Sequence, residues 1–225
     1  HAARRAVDAR QYHRQTGRPL VSLCYAQSLD GCLTARRGQP TALSGPESSR
    51  FTHWLRASHD AILAGVGTVL ADDPLLTVRL VEGKSPQPVI IDSRLRTPPH
   101  ARLLREHPAP AWIATYADAD PKRQSALQSA GARLLHLPLD SGGQLSLPHL
   151  LDCLGQMGIQ RLMVEGGARV IASFLEARLV DLFVVTVAPL FLGGLPVLDG
   201  HPVGERPAVR LRHIRTQRLG DDLVL

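Results

Sequence analysis

The chain has 225 residues, 44% of them hydrophobic and only 4% aromatic, which suits one large α/β domain or two small ones with a core of Leu, Val and Ala. Its formal charge is +6, carried by arginines mostly spread along the chain rather than clustered among aromatics, so a nucleic-acid surface is not expected. A basic chain of this kind favours a small anionic ligand such as a phosphate ester.

Residues 1–17 are polar and Arg-rich and are expected to be loose, with residues 18–225 forming a single domain. Residues 20–26 (LVSLCYA) read as a strand, Ser28-Leu29-Asp30-Gly31 as a turn, and residues 32–34 as its continuation. Ser44 reads as a helix N-cap, with Pro46 in the first turn and Glu47 at the capping-box position, and the helix runs to about residue 57. Residues 61–64 form a strand that ends in Gly65-Val66-Gly67-Thr68. A short amphipathic turn, Asp72-Asp73-Pro74 and a β-like run ending at Arg79 follow. Further strands are read at 88–91, 111–115, 133–137, 161–164, 182–188 and 209–217. Helices are read at 121–130, closed by Gly131, at 147–157, closed by Gly158, and at 168–177. The Pro-rich stretch 98–110 reads as turns. Strands alternating with helices predict an α/β fold: a mostly parallel central sheet with helices on both faces. No helix is read between the last two strands, so the sheet is expected to end in an antiparallel edge.

Cysteine and histidine usage narrows the chemistry. Cys24, Cys32 and Cys153 are odd in number and form no C-x-x-C pair, which argues against a disulfide framework or a zinc site and for a reducing, cytoplasmic setting. No H-E-x-x-H or H-x-H pattern occurs, and no metal is expected. The apolar stretch 179–198 is interrupted by Asp181, Pro189, Gly193-Gly194 and Pro196, so a buried strand and turn fit it better than a membrane span. No signal peptide is expected.

Two strand–glycine–helix junctions carry the functional signal. One is Gly65-Val66-Gly67-Thr68; the other is Glu165-Gly166-Gly167-Ala168, about a hundred residues on. Each can turn backbone N–H groups toward an anion, and two in one small domain suggest a dinucleotide, whose diphosphate needs donors from more than one loop. Ligands of open α/β sheets bind at the carboxyl ends of strands, where Ser28, Asp30, Asp72, Ser93, Arg94 and Glu165 also fall. Asp30 reads equally as a turn residue before Gly31, and Asp72-Asp73-Pro74 as a helix stop. Ser93-Arg94, a hydroxyl beside a fork of donors, suits a ribose 2′-phosphate. Glu165, just before a helix entry, lies near a positive dipole end. There is no G-x-G-x-x-G fingerprint, no G-x-S-x-G elbow and no P-loop.

Taken in order, LCYAQSLDG (23–31), HWLRASHDAIL (53–63), GVGTVLADDPLLTVR (65–79), PVIIDSRLRTP (88–98), LMVEGGARVIASFLEARLVD (162–181) and APLFLGG (188–194) resemble the pyrimidine reductase family of riboflavin biosynthesis. The resemblance spans most of residues 20–200. It implies a dihydrofolate-reductase-like fold, NADPH as cofactor, a homodimer, and a ribosylaminopyrimidine 5′-phosphate substrate whose ribose C1′ receives hydride. By motif match, Thr68 and Asp72 would meet the nicotinamide cofactor, Ser93 and Arg94 its adenosine phosphate, and the segment from Gly167 to Ser173 its diphosphate. Arg56, Leu76, Arg79 and Glu165 would face the substrate, with Arg56 and Arg79 expected on its phosphate and Glu165 on its reacting end. Two departures stand out. Cys24 occupies a place where the fused bacterial enzymes usually carry Lys, and Pro40-Thr41-Ala42 replaces their Ser-x-Trp. The Tyr25-Ala26-Gln27-Ser28 pattern, Thr41 and Ser44 look closer to the stand-alone fungal and archaeal type. No deaminase zinc signature occurs. The competing reading is an NADPH reductase of a pterin or related heterocycle on the same fold.

Overall fold

The chain alternates strand and helix, and the buried positions say how they stack. In the computed structural model, which describes residues 8–198 and 209–225, the elements run α1 (Ala9–Thr16), β1 (Leu20–Ser28), β2 (Cys32–Thr34), α2 (Pro46–Ala57), β3 (Ala61–Gly65), α3 (Val66–Asp72), β4 (Gln87–Ile91), α4 (Arg102–Arg105) and β5 (Trp112–Thr115). They continue with α5 (Pro121–Ser129), β6 (Arg133–His136), α6 (Leu147–Gln156), β7 (Arg161–Val164), α7 (Ala168–Glu176), β8 (Leu182–Ala188), β9 (Leu195–Pro196), β10 (Gln217–Leu219) and β11 (Asp222–Val224). A nine-stranded sheet takes the order β10-β11-β8-β1-β7-β3-β4-β5-β6, and β2 pairs separately with β9. From β8 to β6 every pairing is parallel. The hairpin β10–β11 closes the β8 side antiparallel. The expected α/β architecture with an antiparallel edge is therefore present.

Period-two alternation splits the core into two layers. Leu23, Leu63, Val89, Ala114 and Val164 face α6 and α7, where Leu150, Leu154, Ile171 and Phe174 meet them. Ile62, Ala64, Ile90, Ile113 and Met163 face the other way, toward Leu55 of α2, Val69 of α3, Leu103 of α4 and Leu127 of α5. Both faces of the sheet are thus covered by helices. In α6 the spacing Leu147, Leu150, Leu151, Leu154 is that of one apolar helix face. Each fully buried leucine contributes roughly 1.5–3 kcal/mol. Among the described residues no helix is long and apolar enough to cross a membrane.

Five local expectations are corrected. The segment expected to be loose contains α1, capped by the Asp8 side chain and by left-handed Gly17. Tyr12 Oη donates to Asp181 at 3.0 Å, which ties this helix to the loop before β8. Ser44 is not the cap of α2: Gly45 is, and its N–H donates to Asp222 of the C-terminal hairpin at 2.8 Å. A tertiary carboxylate has taken the position of a local one. Residues 74–79 form no strand, because the N–H groups of Val78 and Arg79 donate to Ser85 Oγ and His53 Nδ1. Leu76 there is left-handed at φ 55°. That conformation costs on the order of 1–2 kcal/mol, and burying the side chain at 2% exposure offsets it. The Pro-rich stretch contains the short helix α4. Last, the alternating run 209–217 is irregular to residue 216, broken by left-handed His213, and only Gln217–Leu219 pairs, turning back at Gly220.

Two glycines set how closely helix and sheet approach at the strand ends. A Cβ on Gly65 would lie 2.7 Å from Val170 Cγ2, and one on Gly166 would lie 2.7 Å from Val170 Cβ. Gly166→Ala is expected to lower stability in urea denaturation by about 1–3 kcal/mol. Combined with Val170→Ala, the loss should be smaller than the sum of the two single losses. Strict additivity would mean that the two residues are not packed on each other.

Candidate active site

A cleft of about 1180 Å³ opens at the carboxyl ends of β1, β3, β4 and β7, where the parallel order places it. The register aligns Leu23 and Leu63 with Val164, so the residues that follow these strands converge. Glu165 is one of them, and its N–H donates to Leu63 O at 2.8 Å. The two glycine junctions also meet here: Gly65 and Gly166 both press on Val170, and Gly167 faces Thr68 Oγ1.

The centre of the cleft is an ion pair. Arg56, from the last turn of α2, donates Nε to Glu165 Oε2 at 2.9 Å and Nη2 to Glu165 Oε1 at 2.5 Å. Its Nη1 donates to Thr77 O at 3.1 Å. The Arg56 side chain is 11% exposed and that of Glu165 27%. Burial opposes the guanidinium charge, but Glu165 more than compensates, and the Arg56 pKa lies above its ordinary value. Cys24 stands near the pair; burial first, and then the Glu165 charge, push its thiol pKa up and keep it neutral.

A dinucleotide fits this cleft. Its walls include Gly65, Gly67, Thr68, Asp72, Ser93, Gly166, Gly167 and Ala168. Helix α7 begins at Gly167 with no side-chain cap, so its first N–H groups are available to an anion and the helix dipole favours one. Of the substrate-side residues, Arg56, Leu76, Arg79 and Glu165 line the same cleft. Three expected residues do not. Arg94 is exposed and outside the lining: left-handed Leu95 buries its own side chain and turns Arg94 away, while Arg96 two residues on lines the cleft. Ser28 and Asp30 build a turn instead. Ser28 Oγ donates to Asp30 Oδ1 at 2.5 Å, and the N–H groups of Leu192 and Gly193 donate to the same carboxylate. These bonds, Ser28 foremost, hold the Asp30 carboxyl well below the usual range. Arg56 is also reassigned. Each of its three nitrogens gives one N–H to Glu165 or Thr77, so it positions Glu165, and only the second N–H of Nη1 and of Nη2 is left for a phosphate.

The comparisons with known proteins place the chain in a family. The model of the RibD C-terminal domain matches residues 19–225. The chain belongs to the RibD C-terminal domain family. It is 40% identical to the 2,5-diamino-6-ribosylamino-4(3H)-pyrimidinone 5′-phosphate reductase of Methanothermobacter thermautotrophicus, over 92% of this chain and 97% of that protein. It is 35% identical to the riboflavin biosynthesis protein RibD of Aquifex aeolicus, over 92% of this chain but 57% of the relative. Among solved structures it resembles Acinetobacter baumannii RibD, with a TM-score of 0.82 at 27% identity over 96% of this chain and 59% of that one. It also resembles the riboflavin biosynthesis reductase Rib7 of Saccharomyces, with a TM-score of 0.74 at 30% identity over 93% and 89%.

Sequence reasoning missed His53 and Arg96, which line the cleft of this family member. His53 lies three residues before Arg56, on the same helix face; that spacing was the available signal. It is buried at 6% exposure, and Nδ1 accepts the Arg79 N–H at 2.8 Å. Burial, then the charges of Arg56 and Arg79, push its pKa down from 6.5 to about 4. The unfolded chain therefore binds this proton more readily than the folded one between pH 6.5 and 4. Stability is full above that window and falls as the pH drops through it. Denaturation midpoints measured across the window should decline, and His53→Asn, which keeps an acceptor for Arg79, should flatten part of the decline. The remainder comes from other histidines lowered by burial, His59 and His107. An unchanged slope in His53→Asn would refute the assignment.

Proposed function

We propose that this protein is an NADPH-dependent reductase of riboflavin biosynthesis, converting the ribosylamino chain of a pyrimidine 5′-phosphate to its ribitylamino form. The observation that carries the reading is the Arg56–Glu165 pair at the meeting point of the two glycine junctions. It sets a fixed carboxylate beside the cradle for a dinucleotide. The printed names of its relatives support the reaction. Among substrates, the 2,5-diaminopyrimidinone is preferred, because the relative at 40% identity is named for it and spans nearly the same length.

When bound, the cofactor supplies a hydride for C1′. The chain's own residues do the rest. Reduction requires the ribose ring to open to an imine, which accepts hydride best when protonated. Glu165, oriented by the Arg56 fork, stabilises that cation and holds or moves the proton at the glycosylamine nitrogen. The α7 N-terminus and Thr68 would hold the diphosphate, and Asp72 would orient the nicotinamide. Arg79 faces the substrate phosphate, and a pterin has no phosphate to meet it. Ser93 and Arg96 would receive the 2′-phosphate. A homodimer fits the exposed apolar residues at this end of the sheet, Leu182 of β8 with Leu223 and Leu225 of the C-terminal hairpin, with Phe191 77% exposed beyond them.

Glu165→Gln keeps the shape and removes the charge. Turnover, followed by loss of NADPH absorbance, should fall about 10²-fold or more, with NADPH affinity within a few-fold of wild type. Normal turnover would eliminate Glu165 from the chemistry. For the cofactor, Arg96→Ala should raise the NADPH dissociation constant roughly tenfold and leave NADH binding little changed. Arg94→Ala should alter neither. Equal losses for both cofactors in Arg96→Ala would remove it from the 2′-phosphate.

A further inference from the structure

We propose that Arg102 is the second guanidinium of the substrate-phosphate site, opposite Arg79, and that Glu106 holds it in reserve until the phosphate arrives. This deepens the reading above and rests on a phosphorylated substrate. The place is a side pocket of the cleft, about 310 Å³, lined among others by Arg56, Asp72, Asp73, Leu76, Arg79 and Arg102. Its volume suits a phosphate and the carbon that carries it.

Three guanidiniums border this pocket, but Arg56 is committed to Glu165 and Thr77. Arg79 spends Nη1 on Thr77 Oγ1 at 2.8 Å. Arg102 reaches the pocket because the wall anchors its backbone: its N–H donates to Asp73 Oδ1 at 2.9 Å, and Asp73 is the left-handed residue that ends α3. That bond satisfies one Asp73 carboxylate oxygen with a donor.

The Arg102 side chain forks onto Glu106, one turn later, with Nε–Oε1 and Nη2–Oε2 both at 3.3 Å. Both side chains are about half exposed, at 47% and 44%. A solvated i,i+4 pair of this kind biases a side chain about twofold. A doubly charged phosphate, met by two forks and partly shielded from water, outcompetes it. The guanidiniums around this pocket also repel one another: after burial, the charges of Arg56 and Arg102 are what lower the Arg79 pKa. An anion between Arg79 and Arg102 removes it.

The test compares wild type, Arg102→Gln, Glu106→Gln and Arg79→Gln in two assays. One is calorimetric titration with inorganic phosphate. The other is steady-state reduction of the ribosylaminopyrimidine with and without its 5′-phosphate. Arg102→Gln should weaken phosphate binding and raise KM for the phosphorylated substrate roughly tenfold, with kcat within twofold and the dephosphorylated substrate unaffected. Glu106→Gln, which frees Arg102, should tighten phosphate binding about twofold. If Arg79→Gln weakens phosphate binding and Arg102→Gln does not, Arg102 is no part of the site, while the proposed function stands. If neither variant changes phosphate binding, the anion lies elsewhere and the proposal falls. If the wild type fails to reduce the pyrimidine while phosphate binding still depends on Arg102, the proposed function is wrong and the anion site remains.

Discussion

Everything in the cleft depends on one ion pair, Arg56–Glu165. Taking two charges out of water costs several kcal/mol per ion, and a paired geometry only about restores it. The pair is therefore a poor source of stability and a strong source of position. Removing either partner would leave the other unpaired in a partly shielded place, so the two side chains fix each other. Arg56 also holds Thr77 through its carbonyl, and Thr77 holds Arg79. A single guanidinium thus ties α2, the end of β7 and the loop after α3 into one wall. His53 adds the second tie between α2 and that loop, through the Arg79 N–H.

The sheet supplies the other constraint. Parallel strands deliver their carboxyl ends to the same rim, and at that rim the backbone itself must be exposed to a ligand. Gly65 and Gly166 permit it by letting Val170 come within contact of both junctions. The same residue, Val170, thereby packs the core layer and sets the spacing of the two backbone turns. Core packing and the proposed cofactor cradle share an atom set here. The C-terminal hairpin plays a comparable part for α2: Asp222 receives the Gly45 N–H, placing a carboxylate at the positive end of the helix that carries His53 and Arg56.

The legible part of this fold was what periodicity and glycine placement encode locally. The strands β3, β7 and β8, the leucine face of α6 and the antiparallel edge were all readable, because each is decided within a few residues. Convergence of the two glycine junctions was inferable from their number and from the rule for parallel sheets. Features decided by distant partners were not readable. Ser44 has the right residue type for a cap, but Asp222 holds Gly45 from 177 positions away. The run 74–79 has strand composition, but its N–H groups are claimed by His53 and Ser85. Arg94 and Arg96 are indistinguishable by type, and only left-handed Leu95 decides which one enters the cleft. Motif match alone places Arg56 on the substrate side, and its bond to Glu165, 109 residues on, is not readable from its neighbours.

The most direct test of the account is a crystal structure of the protein with NADPH and the ribosylaminopyrimidine phosphate, trapped with a cofactor analogue that cannot donate hydride if turnover is fast. The account predicts that the Arg56–Glu165 pair persists, with a Glu165 oxygen about 3 Å from the glycosylamine nitrogen and the nicotinamide across the glycine junctions from it. A pyrimidine bound with that nitrogen out of reach of Glu165, or a cofactor lying away from Gly65 and Gly166, would contradict it.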